Sequence, residues 1–252
     1  MGVQLQLRPH AGDTLRLRMD QTIEVARSTK PSDDDSAVDA ASLVMLARIA
    51  VESADADGAV VLALTDSVRI TSSETFALSP TLRAARALQG QRIRFRVRPD
   101  GATLIAGSNV LSEIGLGTMF SQLPATLPKE PIQEGSSWVR AVELPLAAAP
   151  DGRGTATLNA TFRFDSLSQS GEYAFISVRG TLARSGPLAS GGKDAFVQTS
   201  GEVSGKILLD LRRGWIADAR SVVTLRSLVT GMGRGTPASR VRVKITQWMR
   251  VL

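Results

Sequence analysis

Cysteine is absent from the 252 residues, and histidine occurs once, at His10. The first absence excludes disulfides, thiolate nucleophiles, cysteine-ligated zinc and a lipid anchor on cysteine. The second excludes a histidine-rich metal centre and makes any Ser-His-Asp triad depend on one residue of Pro9-His10-Ala11, just ahead of a turn. Aromatics are few: seven phenylalanines, three tryptophans and one tyrosine. Without rings interleaved among basic residues there are no stacking platforms for single strands. No helix-turn-helix or zinc-finger spacing occurs either, so nucleic acid is not an expected partner. No apolar run approaches the roughly 20 residues of a membrane-spanning helix. The opening Met1-Gly2-Val3-Gln4-Leu5-Gln6-Leu7 shows no signal peptide and reads as the middle of a strand.

What is present is alternation. Leu15, Leu17 and Met19 alternate with Arg16, Arg18 and Asp20, and Ile93, Phe95 and Val97 with arginines. Leu158, Ala160, Phe162 and Phe164 alternate with polar residues, as do Val241, Val243 and Ile245. Period-two patterns with one wet face indicate antiparallel sheets. Asp57-Gly58, Asp100-Gly101, Ser170-Gly171 and Arg213-Gly214 mark the turns between strands, since glycine supplies positive φ. Helix is limited to one or two short pieces. Ser79-Pro80 to Leu88, closed by Gly90, has both start and stop signals; Asn109–Leu123 is a weaker candidate because it contains Gly115 and Gly117.

The chain also repeats itself. Val51-Glu52-Ser53 leading to Gly58 is echoed by Phe164-Asp165-Ser166 leading to Gly171. Gly12-Asp13 opens the first copy and Gly135-Ser136 the second; Gly90 with Gly101 and Gly205 with Gly214 follow in the same order. The expected organisation is two pseudo-repeated antiparallel β units, residues 1–123 and 124–252, in a half-barrel or curved-sheet, all-β architecture. Leu123-Pro124 to Pro131 forms the linker. Lys30–Asp39 and Arg184–Asp194 break the symmetry and read as surface loops.

Net charge is +6, carried mostly by arginine, which favours anionic partners. Its clearest expression is Arg92, Arg94, Arg96 and Arg98 on one strand face, the candidate partner-binding residues. A solvated, edge-protecting face is the competing reading. Ser53 to Gly58 places oxygens as calcium loops do, but lacks the closing glutamate, and its repeat loses both aspartates; it reads as a hairpin. Asp33, Asp34, Asp35 and Asp39 read as a solvated run. No Gly-x-Ser-x-Gly elbow or nucleotide-binding loop occurs. No cofactor, metal or catalytic residue is assigned.

Leu127-Pro128, Pro131 to Trp138, and Gly205 to Trp215 resemble segments of a widespread group of uncharacterised bacterial exported β proteins built from two similar halves. The resemblance implies export, to the periplasm or outside the cell. More remotely, the chain is similar to periplasmic lipoprotein carriers with curved sheets that hold acyl chains. The expected function is non-catalytic binding or scaffolding of a protein partner in the envelope. The alternative is a carrier of a lipid-like ligand, which would show an apolar cavity between sheet and helix.

Overall fold

A computed structural model describes residues 2–28, 38–73, 80–105, 126–145, 155–190, 193–231 and 238–252. The alternating segments form β1 (Thr14–Ser28), β2 (Val38–Asp55), β3 (Gly58–Ser72), β4 (Arg92–Val97), β5 (Thr103–Ile105) and β6 (Ser137–Pro145). They continue as β7 (Thr155–Leu167), β8 (Tyr173–Ser190), β9 (Lys193–Asp210), β10 (Trp215–Gly231) and β11 (Ser239–Val251). Helix α1 (Pro80–Ala87) stands between β3 and β4, where its proline start and Gly90 stop place it. The strands make one curved, unclosed antiparallel sheet, in the order β5-β4-β3-β2-β1-β11-β10-β9-β8-β7-β6. Among the described residues the protein is therefore all-β, with almost no helix. Two meanders, β1–β5 and β6–β11, join where the first strand pairs with the last, from Leu17 opposite Val251 to Ser28 opposite Arg240.

The sequence repeat has a backbone counterpart. The Gly12 N–H donates to Val51 O and the Val51 N–H to Asp13 O; likewise Gly135 donates to Phe164 O and Phe164 to Ser136 O. One residue later both copies slip register, with Glu52 extra in β2 and Asp165 extra in β7. A bulge of this kind bends the strand and increases its twist. Both copies then turn at positive φ, at Gly58 and Gly101 in the first and at Gly171 and Gly214 in the second. Gly12 and Gly135 share that conformation. The antiparallel register puts all six at one end of the sheet, called here the glycine end.

That end is curled tightly. Leu7 N–H donates to Pro99 O at 2.9 Å, and the next amide, Arg8, donates to Gly214 O at 3.0 Å. Pro99 turns between β4 and β5, Gly214 between β9 and β10. On a flat sheet those turns would lie six strand spacings apart, about 29 Å. Consecutive amides bring them within roughly 10 Å. The edges are clasped as well: Thr126 and Leu127 N–H donate to Asp100 O, while Thr126 O accepts Trp138 Nε1 at 2.6 Å. Residues 126–132 thus bridge the β5 and β6 sides without a strand ladder. Leu5, Val61, Val97, Phe164, Ile176 and Leu209 are essentially inaccessible in the core this creates.

Two local expectations are corrected. Residues 2–9 form no strand; they make one bridge, Val3 to Ile132, and otherwise thread the core. Their alternation is real, with Leu5 and Leu7 buried. It reports an extended backbone with one buried face, and that does not require a ladder. Arg184–Asp194 is not a loop: β8 runs to Ser190 and β9 starts at Lys193, paired up to Ser190 opposite Lys193. Its Gly/Ser-rich composition conceals the tip of a long hairpin. Asn109–Leu123, Lys30–Ala37 and the boundary at 123/124 lie outside the described residues.

Candidate functional site

Strand register defines two faces, the inner one being that of the core. Away from the glycine end, the inner positions of β8, β9, β10, β11 and β1 line up in four rows. The first is Val178, Gly205, Ser221, Gln247 and Gln21. The second is Gly180, Val203, Val223, Ile245 and Ile23; the third is Leu182, Gly201, Leu225, Val243 and Val25. The fourth is Arg184, Thr199, Ser227, Val241 and Arg27. Two apolar rows therefore lie between a row carrying two glutamines and a serine and a row carrying two arginines. The stripe crosses five strands, about 19 Å.

Burial sets this stripe apart from the core. Every member of the Val203–Val223–Ile245–Ile23 row is only half-buried, as are Leu225 and Val243 in the next. Leu182 and Val25, at the two ends of that row, are buried at 2% and 6% exposure. At the glycine end, equivalent inner side chains such as Phe164 and Leu209 are at 0%. Helix α1 covers a different part of the face: Ala85 packs with Met19 and Leu43 near Met45, Val68 and Ile70.

Three glycines form part of the stripe and its border. A Cβ on Gly201 would meet Leu225 Cδ2 at 2.5 Å and Thr224 O at 2.6 Å, and one on Gly205 would meet Arg220 O at 2.5 Å. One on Gly180 would come within 2.8 Å of Asn159 O. Neighbouring strands approach so closely that only glycine fits, as at tight bends of curved sheets. The sequence reading missed these positions and the stripe with them, because Gly201 and Gly205 interrupt the apolar alternation of β9. The repeat reading had paired Gly205 with the turn residue Gly90, whereas it lies inside a strand.

The predicted arginine stripe lies on the outer face of β4. Arg94 pairs with Glu52 at 2.8 Å and Arg96 with Asp55 at 2.5 Å. Arg98 approaches Asp100 at 3.9 Å, and Arg92 has no ion pair among the described residues. Hydrogen bonding from Arg96, then from the Asp57 N–H, lowers the Asp55 pKa below the usual carboxylate value. The Asp55-to-Gly58 turn is thereby tied to β4. Arg96 and Arg98 also line a depression of about 790 Å3 with Gln4, Gln6, Arg8 and Lys129. A second depression, about 470 Å3, is lined by residues of both faces, among them Gln198, Thr199, Arg226, Ser227, Arg240 and Val241. Neither includes a residue of α1, so neither is the cavity between sheet and helix expected of a carrier; the apolar surface is the inner stripe.

His10 is an exposed turn residue, its N–H donating to Asp13 Oδ2 at 2.8 Å. Among the described residues no group of three or more histidines, aspartates or glutamates is placed to hold a metal ion. No helix among them is long and apolar enough to cross a membrane.

No protein-family model matches the chain, and no curated protein matches it by sequence. Among solved structures it is similar to lipovitellin, a structure of lipid–protein interactions, at 11% identity and TM-score 0.49 over 96% of this chain. The chain spans about a quarter of the length of that protein, 25%. It also aligns with Pseudomonas aeruginosa OccK2 (OpdF) in complex with glucuronate, at 6% identity and TM-score 0.28. That alignment covers 97% of this chain and 100% of the other. An outer membrane channel from Pseudomonas putida F1 follows at 8% identity and TM-score 0.25, covering 98% and 97%. Likeness at these scores carries no functional argument, so the functional reading rests on the chain's own geometry.

Proposed function

We propose that the protein is a non-catalytic binder that shelters a lipid-like, apolar ligand against its inner face. The observation that carries this reading is the half-buried row Val203–Val223–Ile245–Ile23, with Leu225 and Val243 beside it. Apolar side chains on a concave face stay partly wet there, while the same face is sealed at the glycine end. Covering them removes apolar area from water at about 25 cal/mol per Å2. A curved, unclosed sheet suits a ligand that enters sideways or from the end away from the glycine turns. An exported, envelope-side location belongs to the same proposal and is supported by the Leu127–Trp138 and Gly205–Trp215 resemblance.

Native mass spectrometry of protein purified without detergent tests it. Apolar adducts are expected, and they should fall away in a Val223→Thr/Ile245→Thr variant that keeps both positions β-branched and makes them polar. Adduct-free protein that also fails to take up added hexadecanol would overturn the reading.

A second reading is favoured by the 790 Å3 depression at the glycine end. There Arg98 shares the lining with Arg8 and Lys129, which have no ion pair among the described residues, and with the acids Asp57 and Asp100, and Arg92 stands further along the same face of β4. We propose this surface, with Arg94 and Arg96 held by their acidic partners, for an acidic protein partner. Affinity purification should recover a stoichiometric partner that is lost on Arg92→Ala/Arg98→Ala substitution. Recovery unchanged by that substitution would remove the arginines from the interface.

A further inference from the structure

We infer that the sheltered ligand is an anionic amphiphile, with its oxyanion headgroup at Arg184; this rests on the apolar-stripe reading above. Arg184 occupies the inner face of β8, two residues beyond the buried Leu182 and directly opposite Thr199. Its side chain is half-buried, and it makes no ion pair or hydrogen bond with any described residue. That condition is costly for a guanidinium, which has five donors and cannot shed its charge. Several other arginines on the sheet face a carboxylate, among them Arg18 with Asp20, Arg48 with Asp66, Arg94 with Glu52, Arg96 with Asp55 and Arg220 with Asp218. Arg226 and Arg242, without such a pair among the described residues, are exposed to water on the outer face, while the half-buried Arg250 lies over the Trp248 ring at 4.0 Å and Arg140 donates to Leu127 O at 3.1 Å.

The neighbours of Arg184 extend the argument. Thr199 Oγ1 and Ser227 Oγ hydrogen-bond each other at 2.8 Å, placing two hydroxyls in the same row. At the other end of that row Arg27 is tied to Asp39 at 3.6 Å. So one of the two guanidiniums in the row is occupied, and the other has no partner among the described residues. The row lies about 7 Å beyond the Leu182–Gly201–Leu225–Val243 row, two residues along each strand. An extended chain lying on the stripe would bring a terminal carboxylate or phosphate to Arg184. A planar guanidinium fork grips either oxyanion through two parallel hydrogen bonds.

Equilibrium binding of four chain-matched probes tests this: hexadecanol, palmitate, hexadecyl phosphate and, for charge alone, hexadecyltrimethylammonium. The wild-type protein should prefer the anions over hexadecanol by on the order of tenfold, as charged hydrogen bonds allow. Arg184→Gln should erase that preference while leaving hexadecanol binding unchanged; Arg184→Lys should retain part of it. A preference for phosphate over carboxylate identifies a phospholipid-type headgroup, and the reverse a fatty acid. Equal binding of alcohol and anions, tighter binding of the cation, or a preference that survives Arg184→Gln would overturn the headgroup assignment with the stripe intact. Failure of all four probes to bind would overturn the stripe reading itself.

Discussion

Gly214 adopts φ 59°, and its carbonyl receives the Arg8 N–H at 3.0 Å. A Cβ there would overlap the Arg8 backbone. Left-handed backbone already costs a non-glycine residue about 1–3 kcal/mol, and the overlap adds to it. Gly214→Ala is therefore expected to lower stability by at least that amount and to undock residues 2–9, read as loss of amide protection at Leu7 and Arg8. Unchanged protection would contradict the threading. Asp55 supplies a pH signature. Its folded pKa is lowered, chiefly by the Arg96 hydrogen bond. A lowered carboxylate contributes stability that is present above the unfolded value, about 3.9, and lost as pH falls through the folded value. Asp55 is exposed and Arg96 only half-buried, so solvent screens the pair and the effect is modest. Wild-type and Asp55→Asn urea midpoints should differ at pH 7 and converge in acid. A difference that persists in acid assigns the contribution elsewhere.

At the scale of elements, the glycines of β8 and β9 shape the stripe. Gly201→Val is expected to cost about 1–3 kcal/mol by overpacking against Leu225, measured by urea unfolding. A change below about 0.5 kcal/mol, the range of an ordinary surface substitution, would mean the bend tolerates a side chain. What could be read from the sequence follows the same physics. Alternation in β1, β4, β7 and β11 was plain because one face is wet, and the Asp57-Gly58 and Arg213-Gly214 turns because only glycine fits positive φ. The β8–β9 hairpin was hidden by Gly186 and Pro187, residues that signal turns in most contexts. The stripe was hidden by Gly201 and Gly205, which fill inner positions where an apolar residue would have kept the pattern. Arg184 was visible only as the start of an apparent loop. The arginines of β4 were legible as a stripe, but the pairing of Arg94 and Arg96 with β2 acids depends on sheet register. Register over that distance has no local signal.

For the whole molecule, the decisive contact is β1 with β11, the first strand with the last. It makes two repeated meanders one sheet, and the core draws on Ile49, Val61 and Val97 from one half and Phe164, Ile176 and Leu209 from the other. The division into 1–123 and 124–252 is accordingly proposed as a boundary between repeats that share a core. A single unfolding transition, coincident by tryptophan fluorescence and far-ultraviolet circular dichroism, is expected. Two separated transitions would show the halves to be independent. The central claim, that apolar ligand lies along the inner stripe, is tested most directly by photo-cross-linking with a palmitate analogue carrying a diazirine near its methyl end. Adducts are predicted in the peptides holding Val203, Val223, Leu225, Val243, Ile245 and Ile23. Adducts confined to the outer face or to the glycine-end depression, or none at all, would contradict it.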